Sequence, residues 1–234
     1  MERWYGRVAV VCDFAGSSTG LAICKDLMKH GMIVCGLSKR EGMRALEASP
    51  GELHTFEVDV RDEGSVNPLF RHLGEKFDGI DVLINDCNSM TKGLILDDDN
   101  TGALRQIMHT NIIGLCLVSC EGTKLMRMRA LERKNIGHII NITSTVGQKV
   151  DALVQTKAIN ALYPASKHSA KAITECVRQE LIYMEEKVRI TAISPGLVES
   201  DGITSEIGNE PTLAPGDVSA AILYAISVKD NVQV

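Results

Sequence analysis

The chain carries the sequence VAVVCDFAGSSTG at residues 8–20, a continuous apolar run that leads into a turn containing two glycines. A continuous rather than alternating apolar run is typical of a strand buried on both faces of a parallel sheet. The helical pattern that follows, at about residues 20–30, makes this a strand–turn–helix unit. Glycines in such a turn let backbone N–H groups and the helix N-terminus approach a phosphate, although plain turn chemistry explains Gly16 and Gly20 equally well.

The same alternation continues along the whole chain, with short apolar runs that predict buried strands and longer amphipathic stretches that predict helices. The predicted strands are Val8–Cys12, Ile33–Leu37, Leu53–Val58, Val82–Ile84, His138–Ile142 and Arg189–Ile193, and the remaining predicted helices lie at 41–48, 63–77, 101–134, 162–186 and 215–227. Such alternation predicts a parallel sheet covered on both faces. We therefore expect one α/β domain over residues 1–234, a doubly wound, Rossmann-like fold with a mostly parallel sheet and a ligand site at the carboxyl ends of its strands.

Composition excludes several classes of function. The 234 residues are 44% hydrophobic, which is enough for one sizeable core, and the net charge of −5 argues against a nucleic-acid or anionic-membrane partner. No apolar stretch reaches the roughly 18 residues of a membrane span, and the N-terminus lacks the apolar region of a signal peptide, so we expect a cytoplasmic protein. The seven scattered cysteines show no zinc spacing, which predicts reduced, mostly buried thiols and no metal site.

Polar residues follow several predicted strands, at the edge where a doubly wound fold binds its ligand. The run Ser38-Lys39-Arg40 suits the 2′-phosphate of NADP, or else its basic pair is a solvated feature of a loop. Asp59, beside Val60, either accepts a hydrogen bond from an adenine amino group or caps the helix that begins near Asp62. Asn85 ends the fourth strand, where the adenosine half of a cofactor would lie.

Two single polar residues and one loop complete this set. Asn111 interrupts an apolar helical stretch, either as a satisfied core amide or as the centre of a helix distortion that holds a water. Ser144 follows the fifth strand, where it either hydrogen-bonds a substrate oxygen or serves as a turn residue. The segment Pro195-Gly196-Leu197-Val198 leaves the sixth strand as a rigid loop suited to covering a nicotinamide ring.

The run Tyr163-Pro164-Ala165-Ser166-Lys167 places a phenol and an ammonium group four residues apart. On a helix this spacing puts both side chains on one face, where the Lys charge favours the phenolate and lowers the pKa of the tyrosine. Such a tyrosine exchanges protons with an alcohol or carbonyl near neutral pH. A Tyr and a Lys on an ordinary helix also match this spacing by chance, so the interpretation depends on the other segments.

Taken in order, these residues resemble the short-chain dehydrogenase/reductase family over nearly the whole chain. Three segments are similar to the insect NADP-dependent farnesol dehydrogenase group and its vertebrate relatives, namely Arg7–Val11, Ile23–Gly31 and Tyr163–His168. The joint occurrence of four polar residues is the specific part of the resemblance: Asn111, Ser144, Tyr163 and Lys167. A single domain, an NADP cofactor, a lipophilic alcohol or carbonyl substrate and a homodimer or homotetramer are what the resemblance implies.

The resemblance also implies a role for each matching residue. Tyr163 would be the general acid/base, and Ser144 would position the substrate oxygen. Lys167 would bind the nicotinamide ribose and lower the tyrosine pKa, while Asn111 would support a water-linked proton relay. The loop Pro195–Val198 would hold the carboxamide end of the nicotinamide, and hydride transfer is the chemistry of the cofactor.

The chain departs from the family pattern where a pyrophosphate would bind. Of the three glycines in the family's first turn, only Gly20 has a clear match, because Phe14 and Ser18 occupy the other two places. The family's second motif is altered to Asn85-Asp86-Cys87-Asn88, which adds a carboxylate and loses a glycine. The interval between Ser144 and Tyr163 is longer than usual for the family, and the sheet would lack its final edge strand.

Two functions from different classes therefore remain open. The first is an NADP(H)-dependent oxidoreductase that acts on a farnesol-like or steroid-like alcohol or carbonyl. The second is a catalytically impaired relative with weak cofactor binding, which acts as a binding or scaffolding protein. Cofactor affinity at residues 12–20 and 85–88 distinguishes the two, because the catalytic residues are the same in both.

Overall fold

The computed structural model describes residues 1–13, 15–38, 49–133, 136–150, 162–199 and 211–232. Within these ranges a six-stranded sheet is formed by β1 (Val8–Cys12), β2 (Ile33–Ser38), β3 (Glu52–Glu57), β4 (Val82–Asn85), β5 (Gly137–Ile142) and β6 (Val188–Ile193). The helices are α1 (Ser18–Lys29), α2 (Glu63–Phe77), α3 (Thr101–Met108), α4 (Leu115–Arg133), α5 (Leu162–Tyr183) and α6 (Pro215–Ser227). The predicted α/β fold is confirmed.

The strands run parallel in the order β3-β2-β1-β4-β5-β6. The chain moves outward from β1 to β3 and then returns to place β4 on the other side of β1. Val11 accordingly pairs with Gly36 of β2 and with Ile84 of β4. This reversal opens a crevice at the carboxyl ends of β1 and β4, which is where doubly wound folds bind ligands.

Each face of the sheet carries its own apolar core. One core packs β-strand residues against α2 and α4, with Phe70 and Leu73 fully enclosed, and the other packs them against α1 and α6, through Ile23, Leu27 and Ile222. Apolar residues on both faces explain why the strands read as continuous apolar runs. The edge strand β3 differs from the prediction, because its residues are exposed or half-buried rather than buried throughout.

The predicted helices agree closely with the observed ones except in one stretch, and the structure also decides which residue caps α2. The stretch predicted as one helix over 101–134 is divided by a π-helical segment, His109–Gly114, which contains Asn111. The side chain of Asp62 caps α2 by accepting a hydrogen bond from the Gly64 N–H group, so the alternative that Asp59 is the cap is wrong. The helix predicted at 41–48 lies outside the described residues.

The cysteines divide into a buried and an exposed group. Four are buried, whereas three on α4 and α5 are exposed, namely Cys116, Cys120 and Cys176. The prediction of mostly buried thiols therefore applies only to the first group. Across the described ranges, no cluster of three or more His, Cys, Asp or Glu side chains is arranged to hold a metal ion. None of the described helices is both long and apolar enough to cross a membrane.

Candidate active site

A pocket opens at the carboxyl ends of β1 to β4. Ser38, Asp59 and Val60, which the sequence predicts as cofactor-binding residues, all line it. Its other lining residues are Asp13, Leu37, Val58, Arg61, Cys87, Asn88, Ser89, Gln106 and Thr110. The combination of apolar walls with a few polar groups is typical of a small-molecule site.

The predicted catalytic pair lies beside this pocket, on the first turns of α5. Tyr163 and Lys167 are both buried, and the Lys167 Nζ atom lies 5.5 Å from the centroid of the Tyr163 ring. The ammonium group donates a hydrogen bond to the carbonyl oxygen of Ile142, at the end of β5, over 3.3 Å. Burial lowers the pKa of Lys167 to about 8, although the nearby Asp86 carboxylate opposes this shift.

The pKa of Tyr163 is shifted in the direction opposite to our prediction. Burial of the phenol raises it well above its ordinary value, the negative charge of Asp86 raises it further, and a hydrogen bond with Asn88 acts against both. The prediction from spacing considered Lys167 alone. It was wrong because the helix face that carries Tyr163 is packed into the protein next to a carboxylate.

Asn111 ties three elements together around the tyrosine. Its Oδ1 atom accepts the Ser89 N–H at 2.6 Å, and its Nδ2 atom donates to the Ser89 carbonyl at 3.0 Å and to Ser166 Oγ at 2.9 Å. Ser166 Oγ in turn donates to the carbonyl oxygen of Tyr163 at 2.7 Å. Asn111 is therefore a satisfied core amide that lies in a helix distortion, and the water that this distortion would hold stays a prediction.

Ser166 and Ser89 are residues that the sequence analysis missed. Ser166 lies inside the Tyr–Lys motif and is fully buried, and its hydroxyl is the only described group that joins the Asn111 side chain to the backbone of α5. A serine between the predicted catalytic tyrosine and lysine can be recognised as a buried hydrogen-bonding residue only when its helix face is known to be buried. Ser89 acts through its backbone, which carries no sequence signal.

Ser144 connects the ends of β5 and β6. Its Oγ atom accepts the Val146 N–H at 3.3 Å and donates to the Pro195 carbonyl at 3.4 Å, and both bonds are long. The Pro195 carbonyl also accepts the Thr145 N–H at 2.9 Å. Ser144 is thus a turn residue with weakly held partners, which leaves its hydroxyl available to a substrate oxygen.

The loop after β6 is held against the first turn. Val198 forms a bridge with Leu213, and the carbonyl oxygen of Glu199 accepts a hydrogen bond from Ser18 Oγ at 3.0 Å. The predicted residues Pro195, Gly196 and Val198 therefore lie on a segment that faces the glycine turn across the crevice. The following residues, 200–210, lie outside the described ranges.

The turn after β1 is closed by a serine rather than by a glycine. Ser17 is the N-cap of α1, and its Oγ atom accepts the Gly20 N–H at 2.8 Å. The Gly16 N–H donates to the Asp13 carbonyl at 3.2 Å. Gly16 and Ser18 are exposed, so they remain accessible to a ligand, whereas the N–H of Gly20 is already used by the cap.

Two carboxylates lie at this turn. Asp86 is buried, and its Oδ2 atom accepts a hydrogen bond from Ser17 Oγ at 2.7 Å. Burial raises the pKa of Asp86 to about 6, against the opposing effects of Ser17 and Lys167. Burial and the charge of Asp86 raise the pKa of Asp13 to about 7. The site therefore carries negative charge at the position where an anionic ligand is expected.

Two predicted cofactor residues are already engaged within the protein. The Asp59 carboxylate receives two hydrogen bonds from the Arg61 guanidinium group, at 2.8 and 2.6 Å. Asn85 is buried, and its Nδ2 atom donates to Ser119 Oγ and to Asn141 Oδ1. Its side chain supports the sheet instead of lining the pocket. Lys39 and Arg40, the predicted 2′-phosphate ligands, lie outside the described residues.

The residues present fit a dinucleotide, with one local conflict. Leu37, Val58 and Val60 give the pocket apolar walls for an adenine ring. Tyr163 lies next to the pocket, where it shares a hydrogen bond with the lining residue Asn88. The conflict lies at Gly16, where a Cβ atom would be only 2.0 Å from Asp13 Oδ1. Asp13 thus covers the turn that should receive a pyrophosphate.

Comparisons with known proteins show the family to which the sequence is similar. The short chain dehydrogenase family matches residues 8–210. Farnesol dehydrogenase of Aedes aegypti is 38% identical over 242 aligned residues, which cover 100% of this chain and 95% of the relative. Dehydrogenase/reductase SDR family member 11 of Mus musculus is 29% identical over 252 residues, covering 100% and 94%.

Solved structures show the same fold at low sequence identity. A short chain dehydrogenase from Leptospira borgpetersenii with bound NAD+ has a TM-score of 0.84 at 15% identity, with 98% of this chain and 89% of that chain covered. The ligand-free aldohexose dehydrogenase of Thermoplasma acidophilum has a TM-score of 0.79 at 19% identity, with 98% and 92% covered.

Proposed function

The chain belongs to the short-chain dehydrogenase/reductase family, and from this premise we propose that it is an NADP(H)-dependent oxidoreductase that interconverts a lipophilic alcohol and its carbonyl. The observation that carries the proposal is the buried network of Asn111, Ser166 and Tyr163, which sits beside Lys167 at the carboxyl end of the sheet. These four polar groups come from two separate segments, the π-helical segment and α5, and they are held at the ligand-binding edge of a doubly wound fold. An apolar core would serve packing better, so their burial here indicates a functional role.

Each residue of the set has a distinct role in the proposed reaction. Tyr163 holds the proton that the substrate oxygen gains in reduction and loses in oxidation. Lys167 supplies the positive charge that stabilises the phenolate and would bind the nicotinamide ribose. Asn111 fixes α5 against the loop after β4, and Ser144 orients the substrate oxygen. The bound cofactor supplies or accepts the hydride.

Apolar side chains next to Tyr163 support a lipophilic substrate. Val146 and Tyr163 form a small buried apolar cluster, and Met90 packs against it from the loop after β4. Methionine adapts its shape to irregular apolar ligands. Together with the similarity to a farnesol dehydrogenase, this favours an isoprenoid-like or steroid-like alcohol or ketone.

The preference for NADP rests on the basic run after β2. Lys39 and Arg40 follow Ser38, which lines the pocket, and a basic pair at this strand end suits a 2′-phosphate. Replacing both residues with Ala should weaken NADPH binding by about tenfold or more, because each substitution removes one charged contact with the 2′-phosphate. NADH lacks this phosphate, so its binding should change by less than about threefold.

The first experiment is a titration of the purified protein with NADPH and with NADH, followed by cofactor fluorescence. Micromolar NADPH binding with weaker NADH binding supports the proposal and leads to a screen of lipophilic alcohols and ketones. Equal effects of the double Ala variant on both cofactors would refute the 2′-phosphate assignment. If the folded protein binds neither cofactor, the proposal that it is an oxidoreductase is refuted.

A second function is favoured by one observation, the carboxylates Asp13 and Asp86 at the phosphate turn. If they prevent cofactor binding, the chain is a binding or scaffolding protein that retains the family fold. The titration distinguishes the two functions directly. For either, we propose a cytoplasmic protein that assembles as a homodimer or homotetramer.

A further inference from the structure

The N-terminus of α1 already faces an anion of the protein itself. Ser17 accepts the Gly20 N–H through its Oγ atom and donates its own proton to Asp86, over 2.8 and 2.7 Å. The hydroxyl group thereby links the positive end of the helix dipole to the buried carboxylate. A pyrophosphate that binds this helix end must share it with Asp86.

Asp13 adds a second carboxylate on the solvent side of the same turn. Its backbone is left-handed, with φ at 56°, and its side chain folds over Gly16. The charge of Asp86 acts on it directly. A ligand phosphate at Gly16 therefore meets Asp13 first and Asp86 behind it.

Few groups offset this negative charge. The titratable groups that act on the two carboxylates, or on which they act, come from β1 and from α5: Cys12, Tyr163 and Lys167. Among these only Lys167 is a cation. The Cys12 thiol and the Tyr163 phenol stay neutral near pH 7, because burial and the carboxylates raise the pKa values of both groups. Two carboxylates thus face one ammonium group before any ligand phosphate arrives.

We propose that Asp13 and Asp86 determine the affinity for the dinucleotide and that its pyrophosphate binds together with a proton taken up by this carboxylate pair. The inference rests on the proposed function, since it concerns the same cofactor. It assigns to Asp86 a role in cofactor affinity, exerted at the helix end to which Ser17 links it and distinct from the proposed catalytic role of Tyr163.

The expected pH dependence follows from linkage. The pKa values of about 7 and about 6 in the free protein rise on binding, because the ligand adds negative charge. Affinity is therefore lowest above both bound-state pKa values, increases as the pH falls toward about 6, and levels off below it. Each carboxylate changes affinity about tenfold if it opposes the pyrophosphate at a partly screened distance.

The test is isothermal titration calorimetry with NAD+ and with ADP-ribose between pH 5.5 and 8.5. Both probes contain the pyrophosphate and lack a 2′-phosphate that would itself titrate in this range. We expect tenfold or more tighter binding at pH 6 than at pH 8.5. Titrations in two buffers of different ionisation enthalpy should show net proton uptake at pH 7. Binding without proton uptake and with a flat pH profile would overturn the inference while leaving the proposed function intact.

Variants assign the effect to the two carboxylates. Asp13→Asn and Asp86→Asn should each tighten binding about tenfold at pH 8.5 and flatten the profile. The matched control is Asp78→Asn, which removes the same charge from a residue with the same φ of 56°, at the far end of α2, and should change neither. Lys167 also titrates near this range, so an unchanged profile in Asp13→Asn would assign the pH dependence to Lys167 and overturn the proposal.

The half-buried position of Asp13 keeps the test valid if the buried Asp86 variant does not fold, because Asp13→Asn and the proton uptake of the unaltered protein suffice. Absence of binding at every pH, in both the unaltered protein and Asp13→Asn, would instead refute the proposed function and this inference with it.

Discussion

Tyr163 occupies an environment that opposes its ionisation in the free protein. Burial and the negative charge of Asp86 raise its pKa, whereas the ammonium group of Lys167 lies 5.5 Å from the ring centroid. A neutral phenol in the free protein is suited to donating a proton to a carbonyl. Removal of a proton from an alcohol requires the phenolate, so the rate of alcohol oxidation should increase more with pH than the rate of carbonyl reduction.

Tyr163→Phe should abolish turnover and leave cofactor binding within about twofold, because the ring packing stays and only the proton-carrying oxygen is lost. The loss of rate is expected to be at least 100-fold, on the order of what general acid–base catalysis contributes. The control is Tyr183→Phe on the same helix, where the side chain is 89% exposed. Loss of cofactor binding in Tyr163→Phe would contradict the assigned role.

His138 makes stability depend on pH at a site remote from the pocket. Burial, followed by the nearby charge of Arg189, lowers its pKa to about 3. Because Arg189 donates to Nδ1, the Nε2 atom carries the proton and donates to Thr191 Oγ1 over 2.9 Å. The imidazole is therefore held in its neutral form by two partners.

We expect the free energy of unfolding to fall as the pH drops below about 6.5, since the unfolded state then binds a proton that the folded state excludes until about pH 3. The loss at pH 4.5 should be on the order of 2 kcal/mol. Urea unfolding at pH 7 and 4.5 measures it. The variant His138→Gln should be less stable than the unaltered protein at pH 7, but its free energy of unfolding should fall less between pH 7 and pH 4.5. The exposed control His72→Gln should show the same fall in the free energy of unfolding as the unaltered protein. An identical pH dependence in His138→Gln would exclude this histidine as the cause.

At the scale of elements, close contact between α5 and the turn after β5 positions the proposed catalytic residues. A short 3₁₀ helix, Thr145–Gly147, follows Ser144, and a Cβ atom on Gly147 would lie 2.7 Å from the carbonyl oxygen of Lys167. Only glycine permits this approach of two backbone segments. The contact sets the spacing between Ser144 on one element and Tyr163 on the other.

Gly147→Ala should push α5 away from this turn and reduce kcat/KM by up to about 100-fold, because displacement of reacting groups by about 1 Å has effects of that size. The free energy of unfolding should fall by about 1–3 kcal/mol from overpacking. Gly216→Ala, where a Cβ atom meets no neighbour within 4 Å, is the matched control. Unimpaired turnover in Gly147→Ala would show that this contact does not position the pair.

At the scale of the whole molecule, α4, α5 and the π-helical segment leave several large apolar side chains in solvent. The exposed fractions are 46% for Ile113, 47% for Met128 and 60% for Ile182. A concentration of such side chains on neighbouring helices favours a protein contact. We therefore expect α4 and α5 to form the contact of the proposed homodimer or homotetramer.

Light scattering should therefore report a dimer or a tetramer at micromolar concentration. Cys120 on α4 and Cys176 on α5 are exposed in the single chain, so an assembly through these helices should protect them from alkylation. Mass spectrometry after brief iodoacetamide treatment, at high and at low protein concentration, measures the protection. A monomer at all concentrations, or a dimer with fully reactive thiols, would contradict the contact.

Sequence periodicity was sufficient for the order of strands and helices and for the edge of the sheet that carries the site, because burial on both faces leaves continuous apolar runs. The approximate bounds predicted for α2 and α6 agree with the observed ones. Ser38, Asp59 and Val60 were placed in the pocket because strand ends are local features. The sequence did not predict the roles of Ser166 and Arg61, and it did not specify the type of helix distortion at Asn111. The partners of these groups are set by packing between elements.

Local patterns thus established the fold and the catalytic candidates, whereas the protonation of the site depends on contacts between distant residues. Ser17 and Asp86 are 69 positions apart in sequence, and no periodicity predicts that they share a hydrogen bond. The pKa of Tyr163 moves upward because burial and the charge of Asp86 outweigh the hydrogen bond with Asn88. The physical reason is that covalent spacing sets which side chains share a face, while charge energies depend on how much water and which charges the folded chain brings to that face.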